Sequence, residues 1–206
     1  MAKIDFKKEL RHLYRPSRSE FSLLEVPAMR FLMIDGRGDP NTAPAYKTTV
    51  EALFSVAYTL KFMSKNELGK DYVVPPLEGQ WWATDMQTFT LRRDKSQWLW
   101  TMMIMVPDWI PAEMVVQAQV AAGEKKELSA LPEMRCECYD EGLSVQIMHI
   151  GPYDEEGPTL KQMHTAFLPA HNLTFNGKHH EIYLSDPRRV EPKKLKTILR
   201  QPVRRM

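Results

Sequence analysis

The sequence predicts an α+β protein built as a tandem repeat. Two strand-helix-strand (β-α-β-β) modules form one antiparallel sheet, with helices on one face and a ligand groove between the modules. Three observations lead there. The order strand, helix, strand, strand occurs twice along the 206 residues. A glycine follows the first strand of each run, Gly36 in one and Gly151 in the other. The later strands also superimpose, Trp82-Ala-Thr-Asp85 over Tyr183-Leu-Ser-Asp186, which sets Gln80 opposite Glu181 and Trp82 opposite Tyr183.

The elements follow in order. Residues up to about Arg18 are polar and basic, an extension or short helix lying on the domain. Phe21 to Asp35 reads as strand, with Phe31 and Met33 on one face and Leu32 and Ile34 on the other. Gly36 to Pro40 breaks it. From Pro44 the apolar positions Tyr46, Val50, Leu53, Ala57 and Leu60 fall at helical spacing. Gln80 to Asp85 reads as strand, and a loop from Arg92 to Ser96 leads to Gln97 to Val106, apolar on both faces and so central in the sheet. Pro111 opens a helix over Ala112 to Lys126. The second run has strand from Leu143 to Ile150, helix from Glu155 to Leu168, and strands from His179 to Leu184 and Leu195 to Leu199. The expected organisation is an N-terminal extension (1–19) and one domain (20–206). That domain divides into module one to about 110, a connecting helix to about 130, and module two thereafter.

Composition excludes several classes. The chain is 43% hydrophobic and 26% charged with a formal charge of +2, a balance that argues against nucleic acid as a partner. No apolar run reaches the length of a membrane span and the start is charged rather than signal-like, so no membrane partner and a cytoplasmic address are expected. Cys136 and Cys138, one residue apart, read as reduced structural thiols. His149, His179 and His180 raise the question of a metal. His179 and His180 point to opposite faces of a strand, no His-Glu-x-x-His pattern exists, and neither metal nor cofactor is expected. Thirteen Met and five Trp suit either an adaptable pocket or a loosely packed core.

Three stretches carry a likeness to a known family. They are Glu78-Gly-Gln-Trp-Trp82, Met148-His-Ile-Gly-Pro-Tyr153 running into Pro158-Thr-Leu, and Lys178-His-His-Glu-Ile-Tyr-Leu-Ser-Asp-Pro187. Over roughly residues 20 to 203 the chain resembles the GyrI-like (gyrase-inhibitor-like) small-molecule-binding family. That resemblance implies a buried acidic residue, a hydrophobic residue and Tyr on the late strand, matched here by Glu181 and Tyr183. It further implies one of three roles: hydrolysing cyclopropane-bearing DNA-alkylating natural products, sensing cationic drugs, or contacting DNA gyrase.

Strand alternation places His179, Glu181, Tyr183 and Ser185 on one face, and Ile182 and Leu184 on the other. The Ile and Leu face is expected to meet the helices and the Glu and Tyr face to line the groove. A carboxylate desolvated among aromatic rings is a stronger base, fit to take a proton from water; kept ionised, it attracts a cation. Glu181 and Tyr183 are therefore the candidate catalytic residues. Gln80, Trp82, Trp100, Met102, His149 and His179 are the candidate ligand-binding residues, the Trp rings walling a flat aromatic or cationic molecule. Trp81 is assigned to the core.

Overall fold

The computed structural model describes residues 3–84 and 94–206; the expected strand end at Asp85 and loop start at Arg92 lie outside them. Among the described residues nine strands form the sheet: β1 (Ser22–Val26), β2 (Met29–Arg37), β3 (Leu77–Trp82), β4 (Leu99–Val106), β5 (Arg135–Tyr139), β6 (Gly142–Ile150), β7 (Leu173–Phe175), β8 (His179–Tyr183) and β9 (Lys196–Arg205). Their order across the sheet is β1-β6-β9-β8-β3-β4-β2-β5, with β7 paired to β9, and every pairing is antiparallel. The helices are α1 (Phe6–Glu9), α2 (Arg11–Tyr14), α3 (Pro44–Glu67), α4 (Ala112–Lys125), α5 (Gly157–Gln162) and α6 (Leu168–Ala170), the last two joined by a π-helical turn over Met163–Phe167.

Each module is thus β-α-β-β, β2-α3-β3-β4 and β6-α5/α6-β8-β9, the second with the short β7 inserted before β8, and β3 and β8 pair at the seam between them. The two rims are exchanged. β1 precedes module one but pairs with β6 of module two, and β5 precedes module two but pairs with β2 of module one. The expected strand from Phe21 to Asp35 is therefore two strands, separated at Pro27, whose ring has no N–H for a ladder.

α3 starts with Pro44 at its first position, where a missing N–H costs nothing. It stops at Gly69, whose φ of 65° lets Lys70 N–H return 3.1 Å to the Ser64 carbonyl. Its inward residues Leu53, Val56, Ala57 and Leu60 pack with Leu32, Ile34, Trp100 and Ile104 of the sheet. Each fully buried aliphatic side chain there contributes about 1.5–3 kcal/mol. In module two, Met163 and Leu168 pack with Val145, Ile147, Leu199 and Val203. α3 rests on β2 and β4, so the seam strands lie between the two helical layers.

Gly36 does not break β2: it pairs with Trp100 inside the sheet, and a Cβ there would fall 1.9 Å from the Trp100 ring. The chain turns two residues later, at Gly38, with φ of 97°. The opposite face of the sheet is covered by the N-terminal segment, where Leu13 and Tyr14 pack with Val26, Ile182 and Ile198. This corrects one expectation. Ile182 meets Leu13 and Tyr14 of α2, whereas the long helices share the face of Glu181 and Tyr183.

Candidate functional site

The seam register decides the site. Gly79 lies opposite Glu181, Trp81 opposite His179 and Leu77 opposite Tyr183. Gln80 itself pairs with His180, and residues one apart on a strand point to opposite faces. Trp81, not Trp82, therefore shares the face of Glu181. Gln80 and Trp82 project to the far side, where Gln80 is buried and the Lys178 ammonium sits 3.3 Å from the centre of the Trp82 ring.

On the helix face, alternate residues of β8 form a directed chain. The Trp81 indole Nε1 donates to the Tyr183 hydroxyl at 2.8 Å, and that hydroxyl donates to Glu181 Oε2 at 2.7 Å. His179 Nε2 lies 3.3 Å from Glu181 Oε1, a close contact without hydrogen-bond alignment. Burial pushes the Tyr183 hydroxyl well above its ordinary value, and the Glu181 charge adds to this, so it stays a donor. Gly79 makes room for the arrangement: a Cβ there would stand 2.9 Å from Trp81 Nε1 and 3.1 Å from Met102 Sδ.

Aromatic rings surround this carboxylate. Tyr153 meets Tyr183 edge-on at 5.7 Å, Tyr46 stacks on Trp81 at 6.3 Å, and Trp98 meets Trp81 edge-on at 5.7 Å. Buried Glu156 adds negative potential: it lifts the Tyr153 hydroxyl, which burial first and then Glu156 and Glu181 bring to about 12. Trp100 and Met102 lie on the same face but are wholly buried beneath these rings. His149 is on that face too, two strands away on β6, with Nε2 3.2 Å from the Pro152 carbonyl. His164, on the π-helical turn, is lowered to about 4 by burial and by neighbouring His179.

Tyr46, Trp81, Tyr153 and Glu156 were not among the expected site residues. The repeat itself carries a signal for two of them: Tyr46 follows Pro44 and Tyr153 follows Pro152, each opening the helical segment of its module. Two clefts of about 360 and 470 Å³ lie at the rim around Arg18 and Ile150, and neither is lined by a carboxylate or by Phe, Tyr or Trp. The chemistry, rather than cleft size, singles out the Glu181 cluster. Among the described residues no group of His, Cys, Asp or Glu is arranged to hold a metal ion, and no helix is long and apolar enough to cross a membrane.

The other face of the seam is closed. His180 Nδ1 meets Glu141 Oε1 at 2.9 Å and its Nε2 lies 3.0 Å from Glu78 Oε2. Arg200 donates to Glu141 at 3.1 Å, to Gln146 at 3.0 and 3.1 Å, and to the Leu13 carbonyl at 2.9 Å. Tyr14 donates to Glu78 Oε1 at 3.0 Å. All of these groups are buried, two carboxyl groups facing two cationic ones, and they tie the N-terminal segment to both modules.

Comparison with known proteins agrees with this architecture. Two crystal structures from Listeria innocua cover 98% of this chain and 100% of their own. One, of an uncharacterized conserved protein, is 42% identical with a TM-score of 0.89; the other, of a hydrolase, is 41% identical with a TM-score of 0.85. The EcmrR C-terminal domain shares the fold alone, at 10% identity and a TM-score of 0.55 over 91% of this chain and 98% of its own. Comparison with curated proteins found no significant match. The sequence matches the GyrI-like small molecule binding domain over residues 19–204, nearly its whole length, and with a β-α-β-β repeat whose seam presents a carboxylate among aromatic rings, the chain belongs to that family.

Proposed function

We propose that the protein binds flat aromatic or cationic small molecules at the Glu181 cluster and hydrolyses cyclopropane-bearing DNA-alkylating toxins, with Glu181 as general base. The observation that carries this reading is the asymmetry of the carboxylate. Oε2 is fixed by the Tyr183 hydroxyl at 2.7 Å, while Oε1 faces His179 at 3.3 Å without an aligned hydrogen bond. Oε1 is thus the oxygen with acceptor capacity left for a water molecule. Glu181 takes a proton from that water, the water oxygen bonds to the strained ring carbon, and the carbon–carbon bond breaks with its electron pair moving to the conjugated carbonyl. Trp81 and Tyr183 set the orientation of Glu181, and the surrounding rings stack on the flat substrate. Trp82, on the far face, has no part in the wall expected of it. The 41% identity to a hydrolase supports the enzymatic reading.

The test is mass spectrometry of such an agent incubated with wild type and Glu181→Gln. Wild type is expected to form a water-addition product with turnover, and the variant to lose about 100-fold or more of the rate. Unchanged agent beside tight, tryptophan-quenching binding would overturn hydrolysis. It would leave a drug-binding module, a reading favoured by two carboxylates, Glu181 and Glu156, flanking the same rings.

A further inference from the structure

In the seam cluster, three phenols face one carboxylate, and only one of them has its hydroxyl occupied. Tyr183 accepts from Trp81 and donates its single proton to Glu181. It has no second proton with which to bind a ligand oxygen. Tyr46 and Tyr153 differ. Among the described residues neither hydroxyl has a hydrogen-bond partner, and neither is sealed from solvent. Both rings are nonetheless fixed: Tyr46 packs on Trp81 at 6.3 Å and edge-on against Trp100 at 5.5 Å, and Tyr153 packs on Tyr183 at 5.7 Å. A phenol held by its ring with its hydroxyl open is a preorganised donor, because no side-chain freedom remains to be lost when a ligand arrives.

We propose that Tyr46 and Tyr153, one from each module, are the ligand-reading donors of this site, and that they select flat aromatic molecules bearing a carbonyl or phenolate oxygen. This rests on the Glu181 cluster being the ligand site and deepens that reading. The two tyrosines occupy equivalent places in the repeat, each at the start of the helical segment after the first long strand, so the seam brings them together from opposite sides. Burial and the Glu181 charge push both hydroxyls upward, Tyr153 to about 12, which keeps them protonated and donating throughout the neutral range. In the hydrolytic step the roles separate cleanly. Glu181 receives the proton of the attacking water, and Tyr46 and Tyr153 donate hydrogen bonds to the carbonyl oxygen that gains the electron pair of the broken carbon–carbon bond. The nascent phenolate is then stabilised without a proton leaving Tyr183.

The experiment uses two probes of one shape, 9-fluorenone and fluorene, which differ by a carbonyl. Affinities are measured by equilibrium dialysis for wild type, Tyr46→Phe, Tyr153→Phe and the double variant. Wild type should prefer the ketone. Each single variant should weaken ketone binding about threefold to tenfold, the worth of one hydrogen bond, with hydrocarbon binding unchanged and the preference gone in the double variant. Equal affinity of wild type for both probes overturns the proposal, as does equal weakening of both by the variants. The outcome is separable from that of the hydrolysis reading. Ketone preference lost in the tyrosine variants, in a protein that forms no water-addition product, supports these donors and removes only the enzymatic claim. A toxin hydrolysed at the wild-type rate by the double variant overturns the donors and leaves Glu181 in place.

Discussion

Two adjacent histidines on β8 each meet carboxylates, on opposite faces of one seam, and the outcomes differ. His180 is fully enclosed between Glu78 and Glu141, with Arg200, Gln146 and Tyr14 completing every side. His179 meets Glu181 at the edge of an aromatic cluster, where one carboxylate oxygen and two phenols retain capacity. The first arrangement is sealed from solvent and can only hold the molecule together. The second is incomplete by itself, and an incomplete polar group among aromatic rings is what a ligand completes. Position along the chain differs by one residue; the distinction comes from what covers each face, the N-terminal segment on one and the gap between two helical layers on the other.

The largest break of this contrast is expected from Arg200→Met. It leaves Glu141 buried beside one cation instead of two, which costs about 3–5 kcal/mol. At roughly 2–4 °C per kcal/mol for a chain of this size, thermal unfolding should shift down by at least about 6 °C. Glu181→Gln, by comparison, should scarcely move it. Similar shifts for both would mean that the two faces do not differ in the way described.

The next effect is on pH dependence. Burial alone lowers His180, but the Glu141 carboxylate beside it wins and raises it from 6.5 to about 9. Its contribution is complete below about 6.5 and disappears as pH rises through about 9. Burial alone raises Glu141, but His180 and then Arg200 bring it from 4.5 to about 2. Its contribution is complete above about 4.5 and disappears as pH falls through about 2. The urea midpoint should therefore be highest between about pH 4.5 and 6.5 and decline on both sides. A midpoint rising from pH 7 to 9 would contradict the assignment.

The smallest effect sharpens the site itself. Trp81→Phe removes the donor that directs Tyr183 toward Glu181 and should weaken ligand binding about threefold to tenfold, the scale of one hydrogen bond. Trp82→Phe should leave binding unchanged. The reverse ranking would restore Trp82 to the ligand wall expected from sequence.

That pair of tryptophans also marks where sequence reading stops. The β-α-β-β repeat was legible because strand and helix periodicities differ and each recurs, and the alternation of His179, Glu181 and Tyr183 on β8 was legible because Ile182 and Leu184 are plainly apolar. On β3, Glu78-Gly-Gln-Trp-Trp82 has an aromatic residue at both parities, so nothing local tells which Trp faces Glu181. Only pairing with β8 fixes it. The buried network was hidden for a different reason. Its members Tyr14, Glu78, Glu141, Gln146, His180 and Arg200 lie far apart in the chain, and each resembles a solvated polar position until its partners are known. Their one trace is local: Gln146 sits between Val145 and Ile147, and Arg200 directly follows the apolar run Ile198-Leu199.

The exchanged rims also govern how the molecule is made. β1 finds its partner across Ser22 and Gln146, 124 residues later in the chain, and β2 acquires its outer neighbour only when Cys136 and Tyr139 have been added. At about 5–20 residues per second of synthesis, β1 waits on the order of ten seconds with its backbone unpaired. β5 emerges before β6, so module one can close its own rim first, whereas β1, made earliest, stays unpaired until module two supplies β6.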